Sequence, residues 1–188
     1  MSSFGASGPF NLLYKHFALT PSLHAWGDHA GLLERLKVRG DAEGDRVSGI
    51  EQVDGSAFND VISGGAADEI IAGGAASDIL SGGAGDDALR GGLGNDRLIG
   101  GAGADQIDGG SGIDTADYGA STGAVQITLD GSSATGGDAE GDTLTGIERV
   151  IGSALDDLIS GASVAETLDG GAGNDTLAGG GGGDTLLG

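Results

Sequence analysis

The sequence of 188 residues contains no cysteine, only two prolines and only 4% aromatic residues. Without cysteine, disulfide bonds cannot hold the fold together. No long apolar run is present, which excludes a membrane-spanning helix, and residues 1–10 lack the positive charge with which a secretory signal peptide begins. Leu, Ile, Val and Phe together number 42, close to the fraction below which acidic chains remain disordered.

Positive charge is also scarce, with 8 Lys and Arg against 29 Asp and Glu and a net charge of −21. A surface of this sign repels phosphate groups, which argues against nucleic acid or an anionic membrane as a partner. Repulsion among the carboxylates also opposes a compact state until cations neutralise them. We therefore expect folding to depend on bound cations.

Glycine is abundant, with 42 residues, and much of it belongs to a nine-residue unit that occurs seven times over residues 55–117. Each unit has an acidic residue at its sixth position and an apolar residue at its eighth. The acids are Asp60, Glu69, Asp78, Asp87, Asp96, Asp105 and Asp114. The apolar residues are Ile62, Ile71, Leu80, Leu89, Leu98, Ile107 and Ala116.

A strict period this short predicts a solenoid, because nine residues bury too little apolar surface alone and must stack on their neighbours. The glycine-rich first six positions are typical of a turn. Alternation along a strand at positions seven to nine sends Leu98 to one face and Arg97 and Ile99 to the other. The residues at position eight should therefore form a thin core.

The unit at residues 82–90, Gly-Gly-Ala-Gly-Asp-Asp-Ala-Leu-Arg, closely resembles the RTX (repeats-in-toxin, haemolysin-type) calcium-binding repeats. The resemblance implies an all-β fold, a parallel β-roll or right-handed β-solenoid. It also implies several calcium ions, each between the turns of units i and i+2. Calcium prefers six to eight oxygen ligands, which Asp side chains and backbone carbonyls supply.

Carried over to this chain, the resemblance assigns each ion to two position-six acids and to nearby backbone carbonyls. In the first array the pairs are Asp60 with Asp78, Glu69 with Asp87, Asp78 with Asp96, Asp87 with Asp105, and Asp96 with Asp114. The carbonyls belong to Gly82, Ala84, Gly91, Leu93, Gly100, Ala102, Gly109, Ser111, Gly170 and Ala172.

The first-array sites should differ in strength. The units that begin at positions 82, 91, 100 and 109 keep glycine at position four, and the last two pairs are the best matches. Earlier units carry Phe58, Ala67 and Ala76 there, which disfavour a left-handed turn, and Glu69 has a longer side chain than Asp. We expect weaker sites in these earlier units.

A second, poorer array covers residues 152–188. Its acids are Asp157, Glu166, Asp175 and Asp184, which give the pairs Asp157 with Asp175 and Glu166 with Asp184. Each array follows a similar preface, because residues 40–64 match residues 137–161 at 17 of 25 positions. We therefore divide the chain into a leader (1–39), the first preface and array (40–117), a connector with one strand and the second preface (118–151), and the second array (152–188).

The leader differs from the repeats in composition. Asp28 could cap a short amphipathic helix that carries Leu32, Leu33 and Leu36, and such a helix could cover the open end of the solenoid. The alternative is a disordered leader.

Catalytic motifs are weak. Residues 119–123 match the Gly-x-Ser-x-Gly nucleophile motif around Ser121. In hydrolases with this motif the catalytic histidine follows the serine, but every histidine of this chain precedes Ser121. We predict no catalytic residues, no organic cofactor and no enzymatic activity.

Two interpretations of function remain. In the first, the chain is a secreted structural or adhesive calcium-binding module whose folding requires calcium. In the second, it is the repeat portion of a secreted protease, lipase or polysaccharide-modifying enzyme whose catalytic domain lies outside this chain. The resemblance implies extracellular location and a type I exporter as a partner. From the sequence itself we expect no membrane insertion, and we expect the chain to be a monomer or part of a larger chain.

Overall fold

The computed structural model describes residues 35–37 and 51–188. Nearly all of the regular structure is β. The strands are β1 (Arg35–Lys37), β2 (Gln52–Asp54), β3 (Val61–Ser63), β4 (Ile70–Ala75), β5 (Ile79–Ala84), β6 (Ala88–Leu93), β7 (Arg97–Ala102), β8 (Gln106–Ser111), β9 (Thr115–Asp117), β10 (Gln126–Thr128), β11 (Thr143–Thr145), β12 (Arg149–Ile151), β13 (Leu158–Ser160), β14 (Thr167–Asp169), β15 (Thr176–Ala178) and β16 (Thr185–Leu187). One 3-10 turn, at Gly137–Ala139, lies between β10 and β11.

These strands form three parallel sheets. Sheet A has the order β1-β2-β4-β6-β8-β11, sheet B has the order β16-β14-β12-β9-β7-β5-β3, and sheet C has the order β10-β13-β15. Within the first array, Leu80 pairs with Leu98 in sheet B, and Leu89 pairs with Ile107 in sheet A. Alternate nonapeptides therefore enter opposite sheets, and the chain is a parallel β-solenoid, as the repeat period predicts.

The core is a column of side chains from position eight. Ile71, Leu80, Leu89 and Leu98 are completely buried, and Ala116 takes the same place in the last unit. Each unit contributes one large apolar side chain at most in this column, because the residues at positions seven and nine lie on the outer face. The core is therefore as thin as the sequence indicates.

Strands β4 to β8 are longer than the repeat pattern predicts. They cover six residues, from position seven of one unit to position three of the next, whereas the pattern assigns positions one to three to the turn. The reason lies in the stack, because Gly83 pairs with Gly101 and Gly92 with Gly110 two units away. The turn proper is confined to positions four to six in these units.

Sheet B is continuous through both arrays, whereas the opposite wall is divided between sheets A and C. The division falls in the connector, where β11 pairs with β8 of the first array and β10 pairs with β13 of the second. The chain between β10 and β11 makes two isolated antiparallel bridges. We call this region, residues 118–148, the seam.

The leader prediction falls mostly outside the described residues. Within the predicted helix, the described residues Arg35–Lys37 form strand β1, in which Leu36 pairs with Val53 of β2. A strand is favoured here because it satisfies backbone groups at the edge of sheet A. The prediction of a helix that includes Leu36 is therefore wrong.

Candidate metal sites along the acidic columns

Every position-six acid immediately precedes a strand, so the acids form a column beside each sheet. The A column contains Glu69, Asp87, Asp105 and, in the seam, Asp142. The B column contains Asp60, Asp78, Asp96, Asp114, Glu148, Glu166 and Asp184. The C column contains Asp157 and Asp175.

All seven acid pairs that the resemblance implies are joined by a hydrogen bond of one type. The backbone N–H of the first acid donates to a carboxylate oxygen of the acid 18 residues later, as Asp96 does to Asp114 over 2.8 Å. The other six bonds join Asp60 to Asp78, Glu69 to Asp87, Asp78 to Asp96, Asp87 to Asp105, Asp157 to Asp175 and Glu166 to Asp184, over 2.7–3.1 Å. The period of the turns therefore brings the predicted pairs together.

Seven of the position-six acids have one carboxylate oxygen that lacks a hydrogen-bond donor although it is buried. This holds for one oxygen each of Asp60, Asp78, Asp87, Asp96, Asp105, Asp114 and Glu166. The side chains of Asp78, Asp87 and Asp105 are only 1% exposed. A buried carboxylate oxygen without a partner is costly, because burial removes the hydration of a charged group.

Except at Asp60, the donor-free oxygen lies close to the position-one glycine of its own unit, and we call this place, which only a glycine fits, the turn cavity. A methyl carbon placed on Gly91 would clash with Oδ2 of Asp96 and would lie 2.5 Å from the carbonyl oxygen of Gly109. At Gly82 the same atom would clash with Oδ2 of Asp87 and lie 2.7 Å from the carbonyl oxygen of Gly100. Glycine at position one therefore lets a carboxylate oxygen and a carbonyl oxygen come close to the same point.

Burial raises the pKa of several of these acids. Desolvation raises the pKa of Asp87 to about 7, and the carboxylates of Asp105 and Glu69 add to this rise, against the hydrogen bond from the Glu69 backbone N–H. Desolvation likewise raises the pKa of Asp78 to about 6. It also raises the pKa of Asp96, Asp105 and Asp114. The columns therefore hold negative charge in an environment that disfavours it without a cation.

The donor set fits a hard cation. No group of three or more His, Cys, Asp or Glu side chains in the described part of the chain could hold a metal ion by itself. An ion in the turn cavity would therefore take carbonyl oxygens beside its carboxylates, which is the oxygen-only, mixed set that calcium accepts.

The family model of the RTX calcium-binding nonapeptide repeat matches residues 47–80, 81–116 and 160–188, more than half of the chain. The chain belongs to this RTX repeat family. Comparison with curated protein sequences gives no match. Calcium-binding repeats arranged in a β-solenoid identify the chain as a calcium-binding repeat module. Within residues 35–37 and 51–188, no helix has the length and apolarity that a membrane crossing requires.

Four acids of the RTX arrays differ from the other seven, because neither of their carboxylate oxygens is both buried and without a donor. Glu69 accepts a hydrogen bond from Gly65 N–H over 3.0 Å, and both carboxylate oxygens of Asp157 accept hydrogen bonds, from Val125 and from Ser153. Asp175 and Asp184 are only partly buried at the end of the stack. The unsatisfied oxygens are thus concentrated in the first array.

The predicted carbonyl ligands fall into two groups. Position-one carbonyls, such as those of Gly100, Gly109 and Gly170, point towards the turn cavity of the unit two places earlier. At position three, the carbonyls of Ala102 and Ser111 accept hydrogen bonds of 2.9 Å from Gly85 and Gly94. The geometry therefore favours the position-one carbonyls over the position-three carbonyls as calcium ligands.

Ala76 shows what position four requires. It is the one described residue other than glycine with a positive φ, 77°, and Gly85 and Gly94 have φ values of 112° and 128° at the same position of later units. The turn therefore forces alanine into a conformation that costs an L-residue about 1–2 kcal/mol. Phe58 and Ala67 avoid the left-handed region at the same position.

Sequence reasoning missed a second ladder, on the outer side of the turns at position five. There the side-chain oxygen accepts a hydrogen bond from the backbone N–H 18 residues later. The acceptors are Asn59, Asp68, Ser77, Asp86, Asn95 and Asp156. The recurrence of Asn, Asp and Ser at position five is the sequence pattern that could have predicted this ladder of hydrogen bonds. Each such turn is held by one ladder on its buried side and one on its exposed side.

Asp142 lies outside the nonapeptide units, so the repeat pattern does not mark it. Asp142 is completely buried, and its Oδ1 accepts the Asp105 backbone N–H over 2.8 Å, as a position-six acid would. Its Oδ2 accepts the hydroxyl hydrogen of Tyr118, also over 2.8 Å. Desolvation raises the pKa of Asp142 to about 7. Here a tyrosine satisfies the second oxygen.

Proposed function

We propose that this chain is a secreted structural module that folds when calcium fills its turn cavities, with no chemistry of its own. The observation that carries the proposal is the convergence, beside Gly82 and Gly91, of a donor-free, buried carboxylate oxygen with a backbone carbonyl oxygen. A divalent cation at this point would supply the positive charge that both oxygens lack. Binding free energy then becomes folding free energy.

The ligands that we assign are the predicted pairs. Those of the first array from Asp78 onwards bind most strongly, because each of Asp78, Asp87, Asp96, Asp105 and Asp114 has one unsatisfied, buried oxygen. The pairs that include Glu69 or Asp157 bind more weakly, because hydrogen bonds already satisfy these acids in part.

A non-catalytic role is supported by the surroundings of Ser121, the one candidate nucleophile. Its hydroxyl donates to the Gly123 carbonyl over 2.8 Å and accepts the backbone N–H of Asp138 over 3.0 Å. The side chain is buried, and its hydrogen bonds hold the loop of the seam together. This serine therefore has a structural use.

The same energetics support an extracellular location. With a net charge of −21, the columns repel one another at the low calcium level of a cell interior, and the higher calcium level outside favours the folded state. We infer passage through a type I exporter from the family alone.

Calcium titration of the chelated chain, followed by far-UV circular dichroism, tests the proposal. We expect a disordered spectrum in excess chelator and a cooperative rise of β signal with calcium. A fully ordered β spectrum in excess chelator at a pH above 7, where the buried acids are ionised, would refute it. Magnesium at the same concentration is the control, because it dehydrates reluctantly and demands a tighter octahedral site.

A further inference from the structure

The seam rebuilds the geometry of a turn cavity from residues that do not belong to a nonapeptide. Glu148 immediately precedes β12, and its Oε2 accepts the Asp114 backbone N–H over 3.0 Å. One step earlier in the B column, Asp114 accepts the same kind of hydrogen bond from the Asp96 backbone N–H. Glu148 therefore occupies the place of the next position-six acid, 34 residues after Asp114 instead of 18.

The carbonyl of the cavity is present as well. A methyl carbon on Gly109 would clash with the carbonyl oxygen of Gly146 and would lie 2.8 Å from Oδ2 of Asp114. In the array, Gly109 supplies this carbonyl to the cavity beside Gly91. Gly146 thus replaces the position-one glycine of the missing unit.

An unsatisfied group points into this cavity. Asp114 is completely buried, and its Oδ2 has no hydrogen-bond partner. The carboxylate of Glu148 is its close acidic neighbour, joined to the same residue through the backbone hydrogen bond.

We propose that the seam holds a further calcium ion, bound by Asp114, Glu148 and the Gly146 carbonyl, which joins the two arrays along the B column. In a regular unit four residues lie between the position-one glycine and the acid, as they do between Gly109 and Asp114. In the seam only Ile147 lies between Gly146 and Glu148, and the longer side chain of glutamate makes up for the shorter turn. The inference rests on the proposed function, since it adds a site to the same column.

The A column crosses the seam without such a site. Both oxygens of Asp142 accept hydrogen bonds, one from the Asp105 backbone and one from the Tyr118 hydroxyl. The two edges of the seam therefore differ, with a cation on one and a tyrosine hydroxyl on the other.

Glu148→Gln tests the proposal in the full chain. Glutamine keeps an oxygen for the Asp114 N–H, so the seam should fold, and only the charge is removed. Glu140→Gln is the matched control, because Glu140 is an exposed glutamate of the same seam that also accepts one backbone hydrogen bond, from Gly136.

Native mass spectrometry counts the bound calcium ions, and calorimetry gives their affinities. We expect Glu148→Gln to bind one ion fewer than the wild type, or one ion at least about tenfold more weakly, and Glu140→Gln to equal the wild type. Equal number and affinity in Glu148→Gln and wild type overturn the seam site and leave the proposed function intact. Absence of calcium binding by the wild type overturns the proposed function.

If Glu148→Gln does not fold in saturating calcium, Glu148→Asp decides the question. Its charge is retained but its side chain is one methylene shorter, so the same single ion should weaken. Wild-type number and affinity in Glu148→Asp contradict the proposal.

Discussion

Asp96→Asn is the substitution that most sharply separates a metal ligand from an ordinary buried acid. Asp96 accepts the Asp78 N–H over 2.8 Å through Oδ1, while its Oδ2 has no donor. Asparagine can keep the first bond through its amide oxygen, and its NH₂ group replaces the unsatisfied Oδ2. Hydrogen bonding is therefore retained, and the change removes the charge that we assign to calcium.

The size of the expected loss of stability follows from the number of calcium ions that Asp96 helps to bind. It belongs to two proposed sites, one with Asp78 and one with Asp114. A loss of about tenfold in affinity at each site corresponds to about 1.4 kcal/mol per site, or about 3 kcal/mol in saturating calcium. Spread over about seven ions that bind together with folding, this loss raises the calcium concentration at the folding midpoint about twofold.

Thermal unfolding in saturating calcium and the calcium midpoint by circular dichroism measure these two effects. Asp108→Asn is the control, because Asp108 lies exposed on the outer face of β8 and its substitution removes the same charge from the same array. Equal melting temperature and equal midpoint for the two variants would refute the reasoning.

Three further predictions concern proton binding and glycine geometry. Because burial raises the pKa of Asp78 to about 6 and of Asp87 to about 7, the calcium-free folded state binds more protons than the unfolded state. Stability in chelator should therefore be greatest near pH 4 and be lost as pH rises through 6 to 7; circular dichroism that shows order rising with pH would contradict this. Ala76→Gly removes the strain of a positive φ and should stabilise the calcium-bound chain by about 1 kcal/mol in urea unfolding, and a destabilisation would count against the strained turn. Gly91→Ala places a methyl group in a turn cavity and should weaken calcium binding at least about tenfold in calorimetry, whereas Gly183→Ala, which meets open space, should not; equal affinities would show that the cavity is not the site.

The sequence alone was sufficient for the parts of this fold that follow from a regular period. The RTX resemblance, which implies contact between units i and i+2, places Asp96 beside Asp114, and the structure joins these two residues by a hydrogen bond. The same period identified the buried column that includes Leu80 and Leu98.

Residues outside the period could not be predicted in this way. Glu148 and Asp142 take the places of position-six acids at separations of 34 and 37 residues from their partners, so no fixed spacing reveals them. Their roles depend on where the chain re-enters the stack after the seam, which is decided by packing of distant segments. The hydroxyl of Tyr118 reaches Asp142 only because of that packing.

The length of the strands also could not be predicted from the repeat pattern. Glycine at positions one and two is typical of turns, yet Gly83 and Gly101 pair within sheet B. Neighbouring units on both sides supply the backbone partners there, and this tertiary effect overrides the local preference of glycine.

The central claim is that cations in the turn cavities decide whether the chain folds. Calorimetric titration of the chelated full chain with calcium, with circular dichroism recorded at each step, tests it most directly. The account predicts that heat of binding and β signal rise together over the same calcium range. Complete β signal before calcium is added, or binding without any gain of structure, would contradict it.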